Sequence, residues 1–350
     1  MKDRTPGLFG EAYDRTARQL PVIGEQKDIR YYSSPAKSVL NGPETTGMGF
    51  WSINPYIGCA FGCAYCYARY THRYVMERAA TDEKMTDVLG ESYNRLPPWL
   101  AFERNIFVKR NAPEVLSRTL RFGSDRHLKL LHGETIVIGT ATDPYQPAEG
   151  RYRLTRACIE VLGRAANEFA IITRGPMIVR DVDVLVEAAK RAKVGVTFSI
   201  PTLDREIWQR TEPGTAPPQQ RLRALEQLVG AGIKVGVGMA PILPGISDKP
   251  ELMADVVRAA RAAGATGIWA NLLHLKPGTK EHFLAALERD WPELLPEYER
   301  RYARRAYLAA KETAPVRERV RGLAREYGIR DRRRVRIEPP DDPEQLRLAV

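Results

Sequence analysis

Residues 54–67 read Asn54-Pro55-Tyr56-Ile57-Gly58-Cys59-Ala60-Phe61-Gly62-Cys63-Ala64-Tyr65-Cys66-Tyr67. Three of the chain's four cysteines fall in this stretch, spaced C-x3-C-x2-C, and the fourth, Cys158, lies far downstream. Thiolates are soft ligands that select zinc, copper(I) or iron–sulfur clusters. A structural zinc site wants four closed ligands, and the nearest fourth candidate is His72. A 4Fe–4S cube held by three cysteines instead leaves one iron open. An open metal position marks a catalytic rather than a structural site. Gly58 and Gly62 let the backbone wrap closely around such a group.

Outward from this loop the chain has a rhythm. Apolar, β-rich runs at Trp51–Ile57, Asn105–Lys109, Thr135–Thr140, Phe169–Thr173, Val194–Ile200, Lys234–Met239 and Ile268–Leu275 alternate with helical patterns. The helical patterns lie near Cys66–Ala79, Pro113–Leu120, Leu154–Ala166, Val182–Ala192, Pro218–Gly230, Pro250–Ala263 and Lys280–Leu287. Asn111 before Ala112-Pro113-Glu114, and Asp248 before Lys249-Pro250-Glu251, read as N-caps. Gly232 and Gly264 read as helix stops. Repeated β-α units predict an α/β fold with a parallel sheet, either a barrel or a doubly wound open sheet.

Sites in such sheets sit at the C-terminal ends of strands. Three strand tips carry polar residues there: Ala141-Thr142-Asp143, Thr173-Arg174 and Ser199. The cysteine loop follows the first strand in the same way, so four elements converge on one rim.

Composition bounds the rest. The 350 residues are 43% hydrophobic and 28% charged, enough for a sizeable globular core. No apolar run approaches the roughly eighteen residues of a membrane span. Met1-Lys2-Asp3-Arg4 leads into no apolar segment of a secretory signal, so a cytoplasmic protein is expected. In that compartment clustered cysteines suggest metal or redox chemistry, not disulfides. Net charge is +11. Between Glu297 and Arg336, thirteen Arg and one Lys face six acids. That excess reads either as a phosphate-binding surface for nucleic acid or as a solvated helical face. Val316, Val320, Leu323 and Tyr327, and likewise Tyr298 and Tyr302, recur at helical spacing, predicting two amphipathic helices. The expected organisation is an N-terminal arm over 1–50, a core over 51–290 and a basic helical extension over 291–350.

The C-x3-C-x2-C spacing with Tyr65 before the last cysteine resembles the radical S-adenosylmethionine (radical SAM) superfamily. Asn54-Pro55-Tyr56, Cys66-Tyr67-Ala68-Arg69, Thr142-Asp143-Pro144-Tyr145-Gln146-Pro147, Thr173-Arg174, Glu212-Pro213 and Pro241-Ile242-Leu243-Pro244-Gly245 resemble its spore photoproduct lyase-like branch, often labelled DNA repair photolyases. The resemblance covers roughly residues 50 to 280. It implies a partial (β/α)6 TIM-type barrel, with Cys59, Cys63 and Cys66 binding a 4Fe–4S cluster and S-adenosylmethionine on the open iron. It implies that Tyr65 lies near the adenine, that Thr142 and Asp143 reach the amino group or the substrate, that Arg174 meets the methionine carboxylate, and that Ser199 hydrogen-bonds the cofactor. Asp143 counts among the catalytic candidates. A flavodoxin- or ferredoxin-type protein would supply the electron. In spore photoproduct lyases a cysteine precedes the Ser/Thr-Asp pair and returns a hydrogen atom to product. Here that residue is Ala141, which puts the family's repair reaction in question.

A different radical SAM reaction, on a peptide or metabolite, stays open, and so do two further readings from the residues themselves. One is a zinc-stabilised nucleic-acid-binding protein using Cys59, Cys63, Cys66 and His72. The other is an electron carrier whose cluster is closed by Cys158, a residue that otherwise reads as a small buried hydrophobe. His274 reads either as an adenine neighbour or as a core histidine. Glu212-Pro213 reads on its own as a loop before a helix, and the resemblance implies for Glu212 a structural ion pair near the site.

Overall fold

The computed structural model describes residues 22–26, 28–46, 49–72, 96–123 and 134–339. Eleven strands among them form two sheets. The larger contains β3 (Leu40–Asn41), β4 (Trp51–Ile53), β7 (Ile136–Ile138), β8 (Phe169–Thr173), β9 (Val194–Ser199), β10 (Lys234–Ile242) and β11 (Gly267–Leu272). Its order is β11-β10-β9-β8-β7-β4-β3, and every pairing is parallel except β3 with β4. The six parallel strands therefore follow chain order with no reversal. A doubly wound sheet reverses at a switch point, so the fold is the partial (β/α)6 barrel.

Helices Leu154–Arg164, Val182–Ala189, Pro218–Gly230 and Pro250–Ala262 return the chain between successive parallel strands from β7 to β11. Their apolar faces meet the outward residues of the sheet. Phe169 and Ile171, Val194 and Val196, and Val235 and Val237 are buried in one cluster with Leu162, Leu185, Leu225 and Val256. Burying each such side chain contributes about 1.5–3 kcal/mol. The alternating residues Ile172, Thr197 and Ser199 face a cavity inside the barrel. Gly232 and Gly264 end their helices at φ +91° and +87°, as expected.

The structure corrects several expectations. Trp51–Ile57 is not one strand. Asn54-Pro55 breaks it, and β5 (Tyr56–Ile57) leaves for the second sheet. Asn105–Lys109 is not a barrel strand either. As β6 (Asn105–Val108) it pairs parallel with β2 (Ile29–Ser33) and antiparallel with β5. With β1 (Val22–Gln26) these make a four-stranded sheet, β1-β2-β6-β5, so the described part of the arm contributes strands to both sheets. Asn111 does not cap the Ala112–Phe122 helix through its side chain. Its amide bonds the backbone N–H and C=O of Ala36 at 2.8 and 3.0 Å. Asp248 accepts from Gly245 N at 2.8 Å, and the N-cap is Lys249. After Cys66 comes a short 3-10 helix, Tyr67–Tyr70, and residues 73–79 of the expected helix lie outside the described residues.

The C-terminal extension forms the helices Leu295–Arg301 and Ala310–Glu326, and the second packs on edge strand β11. Tyr298 and Tyr302 are buried and donate to Pro244 O and Leu273 O at 2.6 and 2.8 Å. No described helix is long and apolar enough to cross a membrane.

Candidate active site

The cysteine loop is fixed by its backbone. Cys59 N donates to Phe102 O at 2.9 Å, Ala64 N to Thr211 O at 2.9 Å, and Cys66 N to Cys63 O at 3.2 Å. Gly58 has φ +87°, and a Cβ there would lie 2.7 Å from Phe102 O and 2.9 Å from Asn105 O. No side chain fits that position. Arg69, fully buried, donates to Cys63 O through Nη2 at 2.9 Å and Nε at 3.2 Å, and its Nη2 also meets Glu103 at 2.5 Å.

The loop opens onto a cavity of about 480 Å³ at the C-terminal rim of the barrel. Cys59, Cys63, Cys66, Tyr65, Thr142, Asp143, Arg174 and Ser199 all line it. Every residue singled out from the sequence for catalysis or cofactor binding is therefore in one place. Their hydrogen bonds refine what each can do. The Asp143 carboxylate accepts from Tyr145 N (2.9 Å), Thr173 Oγ1 (2.7 Å) and Arg174 N (2.6 Å), tying the tip of β7 to the tip of β8. Thr142 Oγ1 donates to Gly58 O at 2.6 Å. Ser199 Oγ donates to Ala240 O at 3.0 Å.

Arg174 lies over the Tyr65 ring, 5.6 Å from its centroid, and donates to Glu212 Oε1 and Ala240 O, both at 3.3 Å. Glu212 also accepts from Tyr65 Oη and from the buried Arg221. Burial works against the ionised form of Glu212. Arg221 and Arg174 outweigh it and hold the carboxyl at about 2. Sequence reasoning placed Glu212 correctly as an ion-pair partner beside the site. It missed Arg221, which no local pattern ties to Glu212, and it gave no separate role to Gln146 or Arg69 within their motifs.

Two metal-binding alternatives can be compared with this geometry. His72 does not line the cavity. It is buried between Phe102 and Phe107 with Nε2 3.1 Å from Asn105 O, and burial pushes its pKa down to about 4. Cys158 is fully buried in the main core on the Leu154–Arg164 helix, away from the cavity wall. Among the described residues no group of three or more His, Cys, Asp or Glu is close enough to hold a single metal ion. A cube spreads its three thiolates wider than one tetrahedral ion does. Burial raises all three thiols above their ordinary range, Cys63 to about 12, so they need strong positive charge to ionise. A metal cluster supplies that charge, and the donor set fits one with an open iron.

A family model described as the radical SAM superfamily matches residues 125–257. The chain is a member of the radical SAM superfamily of enzymes. It is 34% identical over 326 residues to an uncharacterised protein of Mycobacterium tuberculosis, covering 93% of this chain and 87% of the relative. An uncharacterised protein of Methanocaldococcus jannaschii is 24% identical over 261 residues, covering 74% and 82%. Among solved structures, a spore photoproduct lyase variant with bound AdoMet and dinucleoside spore photoproduct superposes with a TM-score of 0.60 at 16% identity, over 88% of this chain and 84% of that one. A tyrosine-to-phenylalanine variant of spore photoproduct lyase also gives 0.60 at 16% identity, over 90% of this chain and 86% of that one. The shared fold is that of spore photoproduct lyase.

Proposed function

We propose that Cys59, Cys63 and Cys66 hold a 4Fe–4S cluster whose open iron takes S-adenosylmethionine, and that the enzyme abstracts hydrogen from a substrate in the same cavity. The observation that carries this is the meeting of the three thiols with the tips of β7, β8 and β9 on one cavity wall. When bound, the two groups supply, on one-electron reduction by a flavodoxin- or ferredoxin-type donor, a 5′-deoxyadenosyl radical that removes a hydrogen atom.

The chain's own residues bind and orient. Arg174, held by Glu212 and Tyr65, keeps a planar guanidinium at the cavity, suited to a carboxylate. Ser199 keeps lone pairs that can accept from the cofactor. Thr142 and Asp143 act through position: one fixes Gly58, the other locks two strand tips together. The apolar walls, with Phe61, Phe102 and Leu272, keep water from a reactive radical. A reduced cluster needs a reducing compartment, in keeping with a cytoplasmic enzyme.

Ala141 lines the cavity and offers no S–H, which supports a reaction other than spore photoproduct repair. Nucleic acid is the substrate class the charge favours. Arg304 and Arg305 are exposed on the segment that brings Tyr307 to the cavity. The Arg face of the Ala310–Glu326 helix contributes less, because Glu318 pairs with both Arg321 and Arg325. The test is anaerobic reconstitution with iron and sulfide. About four irons per chain are expected in the brown wild-type protein, and far fewer in Cys59→Ala. Colourless protein holding stoichiometric zinc would overturn the proposal.

A further inference from the structure

Trp269 lies at the middle of β11, in register with Gly238 of β10, which in turn is in register with Ser199 of β9. Its indole lies against the backbone of Gly238. A Cβ on residue 238 would fall 2.9 Å from Trp269 Cζ2 and 3.1 Å from Cε2. Glycine at 238 is therefore what lets the ring sit low on the strand. The indole is nevertheless 46% exposed, and it lines the cavity. A tryptophan used only for packing would turn that surface into the core.

A second aromatic surface stands on the same cavity. Tyr307, 55% exposed, stacks on His274 with ring centroids 4.9 Å apart and planes 14° from parallel. The chain segment carrying Tyr307 is anchored by Leu275 N donating to Ala306 O at 2.8 Å. Lys276, also on the cavity wall, holds its ammonium 5.0 Å from the Tyr70 ring centroid and has no carboxylate partner among the described residues. Exposed aromatic faces in a concave site with one such cation are a receptor for a flat ring bearing negative charge.

We infer that Trp269 is the stacking floor of a substrate subsite that takes a planar heteroaromatic ring carrying an anionic group. The ring lies on the indole that Gly238 admits. The anionic group is met by Lys276, and Tyr307 of the C-terminal extension closes the outer side. This deepens the reading of the cavity as a radical enzyme's site and rests on it for the word substrate.

The experiment measures binding by calorimetry on the full-length, cluster-loaded protein. The probes are uridine 5′-monophosphate and ribose 5-phosphate, in which a hydroxyl stands at C1′ in place of the ring, each titrated with S-adenosylmethionine present to fill the adenine site. Wild-type protein should bind the nucleotide at least about tenfold more tightly than the sugar phosphate. Trp269→Ala should lose about tenfold for the nucleotide and little for the sugar phosphate, and Trp269→Phe should recover most of the loss. Gly238→Ala, which lifts the indole without removing it, should weaken nucleotide binding as well. Equal binding of both probes, no measurable nucleotide binding by wild type, or a folded Trp269→Ala that binds as wild type does would overturn the inference. A wild-type protein that binds the nucleotide but never yields 5′-deoxyadenosine would instead sink the radical reading and leave the ring site standing.

Discussion

The amide of Gln146 donates to Gly58 O at 3.0 Å and accepts from Ala60 N at 3.0 Å, so one fully buried side chain brackets Cys59. Its Nε2 also donates to Thr142 Oγ1 at 2.8 Å, which couples the cysteine loop to the tip of β7. Gln146→Ala leaves Ala60 N without its partner and Gly58 O with Thr142 Oγ1 alone. It should lower stability by about 2 kcal/mol and reduce iron bound per chain. Gln146→Glu keeps the acceptor for Ala60 N and should bind more iron than the alanine variant. Iron content and the electron paramagnetic resonance of the reduced protein distinguish a displaced loop from a general loss of fold.

Gly58→Ala tests the loop more severely. The added Cβ meets two carbonyl oxygens inside contact distance, at a φ of +87° that L residues avoid. The variant should lose at least about 1–3 kcal/mol and fail to assemble a stoichiometric cluster. Chemical denaturation and iron analysis check both effects.

Glu212 makes stability depend on acid. Its folded pKa, about 2, lies below its ordinary value of 4.5. A depressed carboxyl contributes stability that is complete above the ordinary value and is lost as pH falls through the folded one. The contribution should therefore decline from about pH 4.5 toward pH 2. Glu212→Gln leaves Arg174 and Arg221 without their anion and should cost about 3–5 kcal/mol near neutral pH. The gap between wild type and variant in urea midpoint should narrow on acidification below pH 4.5. A gap that widens there would contradict the ion-pair assignment.

If nucleic acid is the substrate, its phosphates should meet Arg304 and Arg305. Affinity for a single-stranded oligonucleotide should then fall steeply with salt, with a log–log slope of about −0.7 per phosphate contacted. Replacing both arginines with alanine should flatten that slope by between one and two contacts. Binding that is absent or independent of salt would remove nucleic acid as the substrate class.

Much of the site was legible because its chemistry is local. The spacing of Cys59, Cys63 and Cys66 and the polar tips at Thr142, Arg174 and Ser199 each sit within a few residues of a readable strand. The Phe169–Thr173 strand and the Pro218–Gly230 helix follow directly from their apolar pattern. What stayed hidden depends on distant pairing. Asn105–Val108 looks like any barrel strand until β2 and β5 claim it. Asn111 and Asp248 look like caps, yet Ala36 and Gly245 occupy their side chains. Trp269 and Tyr307 meet one cavity only because the C-terminal extension folds back along β11. No residue near either one announces that contact.

The most direct measurement is 5′-deoxyadenosine formed from S-adenosylmethionine by the anaerobically reconstituted, reduced protein. The account predicts that wild type produces it, that Cys59→Ala, Cys63→Ala and Cys66→Ala each abolish it, and that Cys158→Ala retains it. A wild-type protein that carries its cluster yet leaves S-adenosylmethionine intact would contradict the account, as would a requirement for Cys158.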